Sequence, residues 1–75
     1  MNRLAIASNI NERLRRFGMT QKRLSEELDV TEVTVSRWCS GQRIPSVYAI
    51  LRMSHIFRCT MEDLCYGILE ENNDT

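Results

Sequence analysis

Glu32, Val33, Ser36 and Arg37 carry the side chains of this sequence best placed to read a patterned polar surface. On a helix turning roughly 100° per residue they gather on one side, while Val35 and Trp38 fall opposite with Thr31. The outer patch then holds a carboxylate, a branched aliphatic, a hydroxyl and a guanidinium. That set suits base edges in the major groove. Arg37 can donate a bidentate pair to guanine O6 and N7, Val33 can meet a thymine methyl, and Glu32 can accept from cytosine N4. Two other readings stay open. Glu32 in a first turn also favours the helix dipole, and Arg37 can be a solvated surface arginine. Val33 has less alternative: it is apolar, lies off the packing face and lacks a reason to be there unless it meets a partner. Trp38 could stack on a base, but its inner position fits a core anchor.

Phosphate-binding groups should flank such a patch. Gln21 and Lys22 open a helix whose first N–H groups are free, and Gln42 and Arg43 follow Gly41 in a loop. The net charge of zero hides a division along the chain. All ten bases lie between Arg3 and Arg58 beside five acids, a net +5, and the other five acids make the remainder −5. The basic part suits a polyanion, and the acidic end offsets the total.

Other chemistry fits poorly. Cys39, Cys59, Cys65 and His55 could supply zinc ligands by number, but there is no Cys-x-x-Cys pair and the spacing matches no common zinc module. A cysteine nucleophile working with His55 needs a shielded pocket, which 75 residues rarely provide. No enzyme activity, metal or cofactor is implied. The odd number of cysteines and the absence of a long apolar stretch near Met1 point to a reducing cytoplasm and away from a membrane.

The elements that must position these residues are all helical. Ile6, Ala7, Ile10, Leu14 and Phe17 form one apolar stripe, predicting a first helix over 3–17 that closes before Gly18. Three times thereafter an apolar residue, a threonine and a second apolar residue recur at the spacing of a hydrophobic staple. The sets are Met19, Thr20 and Leu24; Val30, Thr31 and Val35; and Cys59, Thr60 and Leu64, the last with Asp63 placed for a capping box. Ser46 after Pro45 marks another start. The predicted helices cover 21–28, 32–40, 47–57 and 61–66. Asp29, in the short connection before Thr31, is expected to be left-handed, and so tight a turn makes the second and third helices cross steeply.

The residues Gly18-Met19-Thr20-Gln21, Leu24-Ser25-Glu26-Glu27-Leu28, Val30-Thr31, Thr34-Val35-Ser36-Arg37-Trp38, Ser40-Gly41 and Ile44-Pro45-Ser46 together form a recognisable pattern. It continues through Ile50-Leu51 and Thr60-Met61-Glu62-Asp63-Leu64 to Gly67. The chain resembles the Cro and lambda-repressor-like helix-turn-helix family, in its xenobiotic-response-element subgroup. The resemblance implies an all-α, compact five-helix domain whose helix-turn-helix is formed by helices 2 and 3, with binding to a double-stranded operator and often dimers. Carried onto this sequence, it puts Gln21 and Thr31 at phosphate-contacting positions and Glu32, Val33, Ser36 and Arg37 at base-reading ones. Asp29 and Arg58 stand where the pattern commonly has glycine. Cys39 stands where many members have a glutamate paired to an arginine of helix 1, and Leu14 stands at that partner position, so apolar packing is expected to replace the ion pair.

The expected organisation is a helix-turn-helix domain over 1–67 and an acidic C-terminal tail over 68–75. The expected function is sequence-specific DNA-binding regulation of transcription, as a repressor, on a palindromic operator. Helix 5 with Cys65, Tyr66, Ile68 and Leu69 is the candidate homodimer surface, and the same residues can equally be the end of a monomer's core. The alternative is a protein-interaction module on the same fold, such as an antirepressor or antitoxin-like partner.

Overall fold

The computed structural model describes residues 2–69. They form α1 (Arg3–Phe17), α2 (Gln21–Leu28), α3 (Glu32–Cys39), α4 (Val47–Ile56) and α5 (Met61–Cys65), with no strand among the described residues. The order and every start agree with the sequence reading. The last three helices each stop one residue sooner than the pattern suggests. Ser40, Phe57 and Tyr66 are instead the capping residues, and Phe57 still donates its N–H to Met53 O at 2.8 Å.

Hydroxyl caps fix the starts because the first N–H groups of a helix have no partner within it. The Oγ atoms of Thr20, Thr31, Ser46 and Thr60 accept from the N–H groups of Arg23, Thr34, Ala49 and Asp63 at 3.0, 3.1, 3.1 and 2.9 Å. Asn2 does the same for α1, its Oδ1 accepting from Leu4 N–H at 3.1 Å. Three stops share a second device. Gly18, Asp29 and Arg58 are left-handed, with φ of 61, 58 and 54°. Each lets the next N–H turn back onto the helix, Met19 to Leu14 O at 2.9 Å, Val30 to Ser25 O at 3.0 Å and Cys59 to Ser54 O at 2.9 Å.

The core is one cluster to which every helix contributes: Ile6, Ile10 and Leu14 from α1, Leu24 and Leu28 from α2, Val35 and Trp38 from α3, Ala49, Ile50 and Met53 from α4, and Leu64 from α5. Phe57 joins it, with Phe17 edge-on at 5.6 Å between ring centroids. Burial of each large side chain contributes about 1.5–3 kcal/mol, which drives the five short helices together. Asparagine amides add polar ties from α1: Asn9 Nδ2 donates to Leu64 O and Tyr66 O at 2.8 and 3.0 Å, and Asn11 Nδ2 to Cys39 O at 2.9 Å. Leu14 is buried and Cys39 packs against the same cluster, so α1 meets the end of α3 through apolar contact plus that amide.

The chain stays attached to α1 as far as Ile68, whose carbonyl accepts from Asn2 N–H at 2.7 Å. The acidic positions 70–75 of the expected tail lie outside the described residues. No helix among the described residues is long and apolar enough to cross a membrane.

Candidate nucleic-acid interface

Helix α3 has two unlike faces. Val35 is fully buried and Trp38 is 6% exposed, so the inner face is sealed into the core. Val33 is 57% exposed, and Glu32, Ser36 and Arg37 are exposed beside it. Thr31 departs from the angular placement that put it with Val35 and Trp38, because it is exposed. As the N-cap its backbone is extended (φ −79°, ψ 156°), so helical angles do not apply to it.

The loop after α3 is tied to the last turn through Arg37. Its carbonyl accepts from Gln42 N–H at 2.9 Å, Arg43 N–H at 3.2 Å and Ser40 Oγ at 3.3 Å. Gly41 makes this return possible with φ of 81°, in a region that disfavours other residues. The result brings Arg37 and Arg43, six positions apart, onto one hollow with Thr34, Trp38, Ile44 and Ser46. A base-reading candidate and a phosphate-contacting candidate therefore share one rigid unit.

Gln21 and Lys22 stand at the first two positions of α2, where their N–H groups have no helical acceptor. No hydrogen bond joins them to the Arg37 group, but α2 packs chiefly against α3. Thr31 Oγ1 lies between the two groups in the chain and is 2.8 Å from Thr34 Oγ1. When Thr34 donates to it, Thr31 keeps its own proton free for an anion.

Carboxylates neutralise bases elsewhere. Glu12 pairs with Arg15 and, at 3.5 Å, with Arg16, and Arg23 Nε pairs with Glu27 at 3.0 Å. These exposed pairs add little stability, yet they withdraw charge from the outer sides of α1 and α2. Lys22, Arg37 and Arg43 enter no ion pair among the described residues. The thiols give no sign of activation. Burial pushes Cys39, Cys59 and Cys65 above the ordinary thiol range, with Arg13 partly opposing this at Cys59. His55 is exposed.

Two arginines matter that spacing alone did not reveal. Arg3 Nη1 donates to Gln42 O at 3.3 Å across 39 positions. Arg52 donates to Glu27 O at 3.1 Å and to Tyr48 Oη at 3.2 Å, joining α4 to the end of α2 just before the Asp29 turn. The two of these bonds that join distant parts of the chain, to Gln42 O and Glu27 O, end on backbone carbonyls, groups that every residue carries and no sequence pattern marks.

Two helices joined by a left-handed turn, the second presenting an outward face beside unpaired bases, define the class of DNA-binding transcription regulators. Within that class the chain belongs to the helix-turn-helix family of the Cro and lambda-repressor type, whose helix-turn-helix model matches residues 10–64. It is 35% identical over 66 residues to the uncharacterized HTH-type transcriptional regulator YgzD of Bacillus subtilis, covering 88% of this chain and 97% of that protein. It is 31% identical over 61 residues to the HTH-type transcriptional activator BcrR of Enterococcus faecalis, covering 76% of this chain but 30% of that protein. No solved structure matches the chain.

Proposed function

We propose that the protein is a cytoplasmic regulator that binds specific duplex DNA by placing α3 in the major groove, and that it represses by occupying its operator. The observation that carries this reading is the division of α3: a buried inner face fixes the helix, and an outer face leaves Val33, Ser36 and Arg37 exposed. Arg37 reads guanine through O6 and N7, Val33 packs on a thymine methyl, Ser36 supports either, and Glu32 accepts from cytosine. Gln21, Lys22, Thr31, Gln42 and Arg43 hold phosphates on the two sides and set the register.

Two copies joined through α5 and the residues after it would present two α3 helices to a palindromic operator, with half-sites about 34–36 Å apart. Tyr66 and Leu69 support that surface, being 74% and 84% exposed around an apolar hollow lined by Cys65 and Ile68.

Selection of bound sequences from a random duplex pool tests site and symmetry together; a set with no common motif would overturn sequence-specific binding. Arg37→Ala should relax preference at one base pair by about 1–3 kcal/mol, measured by competition between single-base operator variants. Lys22→Ala should instead weaken all sequences alike and lower the salt slope by about 1. Uniform weakening by Arg37→Ala would remove that residue from base reading. Absence of any salt-sensitive retention on mixed duplex DNA would favour a protein-interaction module instead.

A further inference from the structure

We propose that Arg3, at the start of α1, completes a second phosphate cradle with Arg43 and Gln42, extending the DNA-contacting surface beyond the helix-turn-helix. The inference rests on the DNA-binding reading above and assigns a role to a residue outside it. Arg3, Gln42, Arg43 and Ile44 line one hollow. Arg43 also lines the hollow it shares with Arg37. Arg43 and Ile44 thus line both of two adjoining recesses, and the guanidinium-bearing residues run in the order Arg37, Arg43, Arg3.

The placement of Arg3 is built rather than incidental. One guanidinium N–H is held by Gln42 O at 3.3 Å, which leaves the remaining donors of the group for another acceptor. Beside it, Leu4 lies over Gly41 so closely that a Cβ there would come within 2.6 Å of Leu4 Cδ2. The first turn of α1 is therefore fitted to the loop that carries Gln42 and Arg43. Arg3 is exposed and enters no ion pair among the described residues. Two guanidiniums around one open recess, with no carboxylate lining it, suit the oxygens of a phosphodiester, which accept several donors at once. The contact is with backbone and carries no sequence preference.

Binding of a mixed-sequence duplex by fluorescence anisotropy, as salt rises from about 50 to 200 mM, tests this directly. Removing one phosphate contact should lower the slope of log K against log salt by about 0.9, so the affinity ratio of wild type to Arg3→Gln shrinks about 3.5-fold across that range. Arg3→Lys should keep the wild-type slope, and Arg16→Gln, already paired to Glu12, should leave it unchanged. Melting of Arg3→Gln at the wild-type temperature shows that the fold is intact. An unchanged slope in Arg3→Gln overturns the cradle while DNA binding stands. Weaker binding at unchanged slope also overturns it, because Arg3 would then only be holding Gln42. Wild-type protein that binds with no salt dependence overturns the DNA-binding reading, and the cradle with it.

Discussion

The turn between α2 and α3 and the turn between α4 and α5 are one device built twice. In each, a buried serine of the first helix, Ser25 or Ser54, donates to the carbonyl three residues back at 2.6 Å. In each, a left-handed residue that is not glycine, Asp29 or Arg58, precedes an apolar residue, a threonine cap and a buried side chain, Val35 or Leu64. What the second helix displays is different. The eight residues of α3 carry Glu32 and, more than a turn later, Arg37 beside Val33, whereas the five of α5 carry Glu62 and Asp63 and no base. Acids in a first turn suit the helix dipole, but a pair of them repels phosphate. Turn geometry therefore makes a well-held helix, and the displayed residues decide whether it can face DNA.

The largest test of this equivalence concerns the anchors. Trp38→Ala should cost about 3–5 kcal/mol and Leu64→Ala about 2–5 kcal/mol, against a total stability of about 5–15 kcal/mol. Urea denaturation should show both losses; a neutral Leu64→Ala would mean that α5 is merely appended and the comparison is false.

A smaller effect sharpens the comparison at the left-handed positions. Relief of the Cβ crowding, about 1–2 kcal/mol, is partly offset by the roughly 0.5–1 kcal/mol entropic penalty of glycine. Arg58→Gly should raise the melting temperature by the equivalent of up to about 1 kcal/mol, and Asp29→Gly by less, since aspartate tolerates this conformation better. A drop in stability for Arg58→Gly would show that its side chain contributes something the backbone does not.

The smallest effect separates the caps. Asp63 accepts from Thr60 N–H at 3.0 Å, and this backbone bond, with a lesser one involving the Thr60 side chain, holds its carboxyl below the ordinary range. The folded value is the lower one, so its stabilisation is complete above about pH 4 and is lost as pH falls through the depressed value. Thr34 occupies the same place in α3 and has no proton to gain there. Asp63→Asn should therefore flatten the acid side of the melting-temperature profile, while Thr34→Val should leave its shape unchanged.

Much of this was legible in the chain because local chemistry repeats. Threonine caps followed by staples marked the helix starts, and the stripe from Ile6 to Phe17 marked the face α1 buries as far as Leu14, its last member Phe17 being 44% exposed at the helix end. The ends were less clear, since Ser40, Phe57 and Tyr66 differ from helix interiors only in how their carbonyls are satisfied. Helical periodicity puts Thr31 with Val35 and Trp38, but its extended cap backbone turns it outward.

The sequence by itself determined five helices, the left-handed turn at Asp29 and the outward set from Glu32 to Arg37, because caps, staples and periodicity act over a few neighbouring residues. Only the tertiary structure decided that Arg37 and Arg43 share a hollow, that Arg52 steadies the end of α2 and that Arg3 reaches Gln42. The last two contacts are made with carbonyls brought near by packing of the common core, and the first follows from the loop's return onto the Arg37 carbonyl; a carbonyl leaves no mark in the order of side chains.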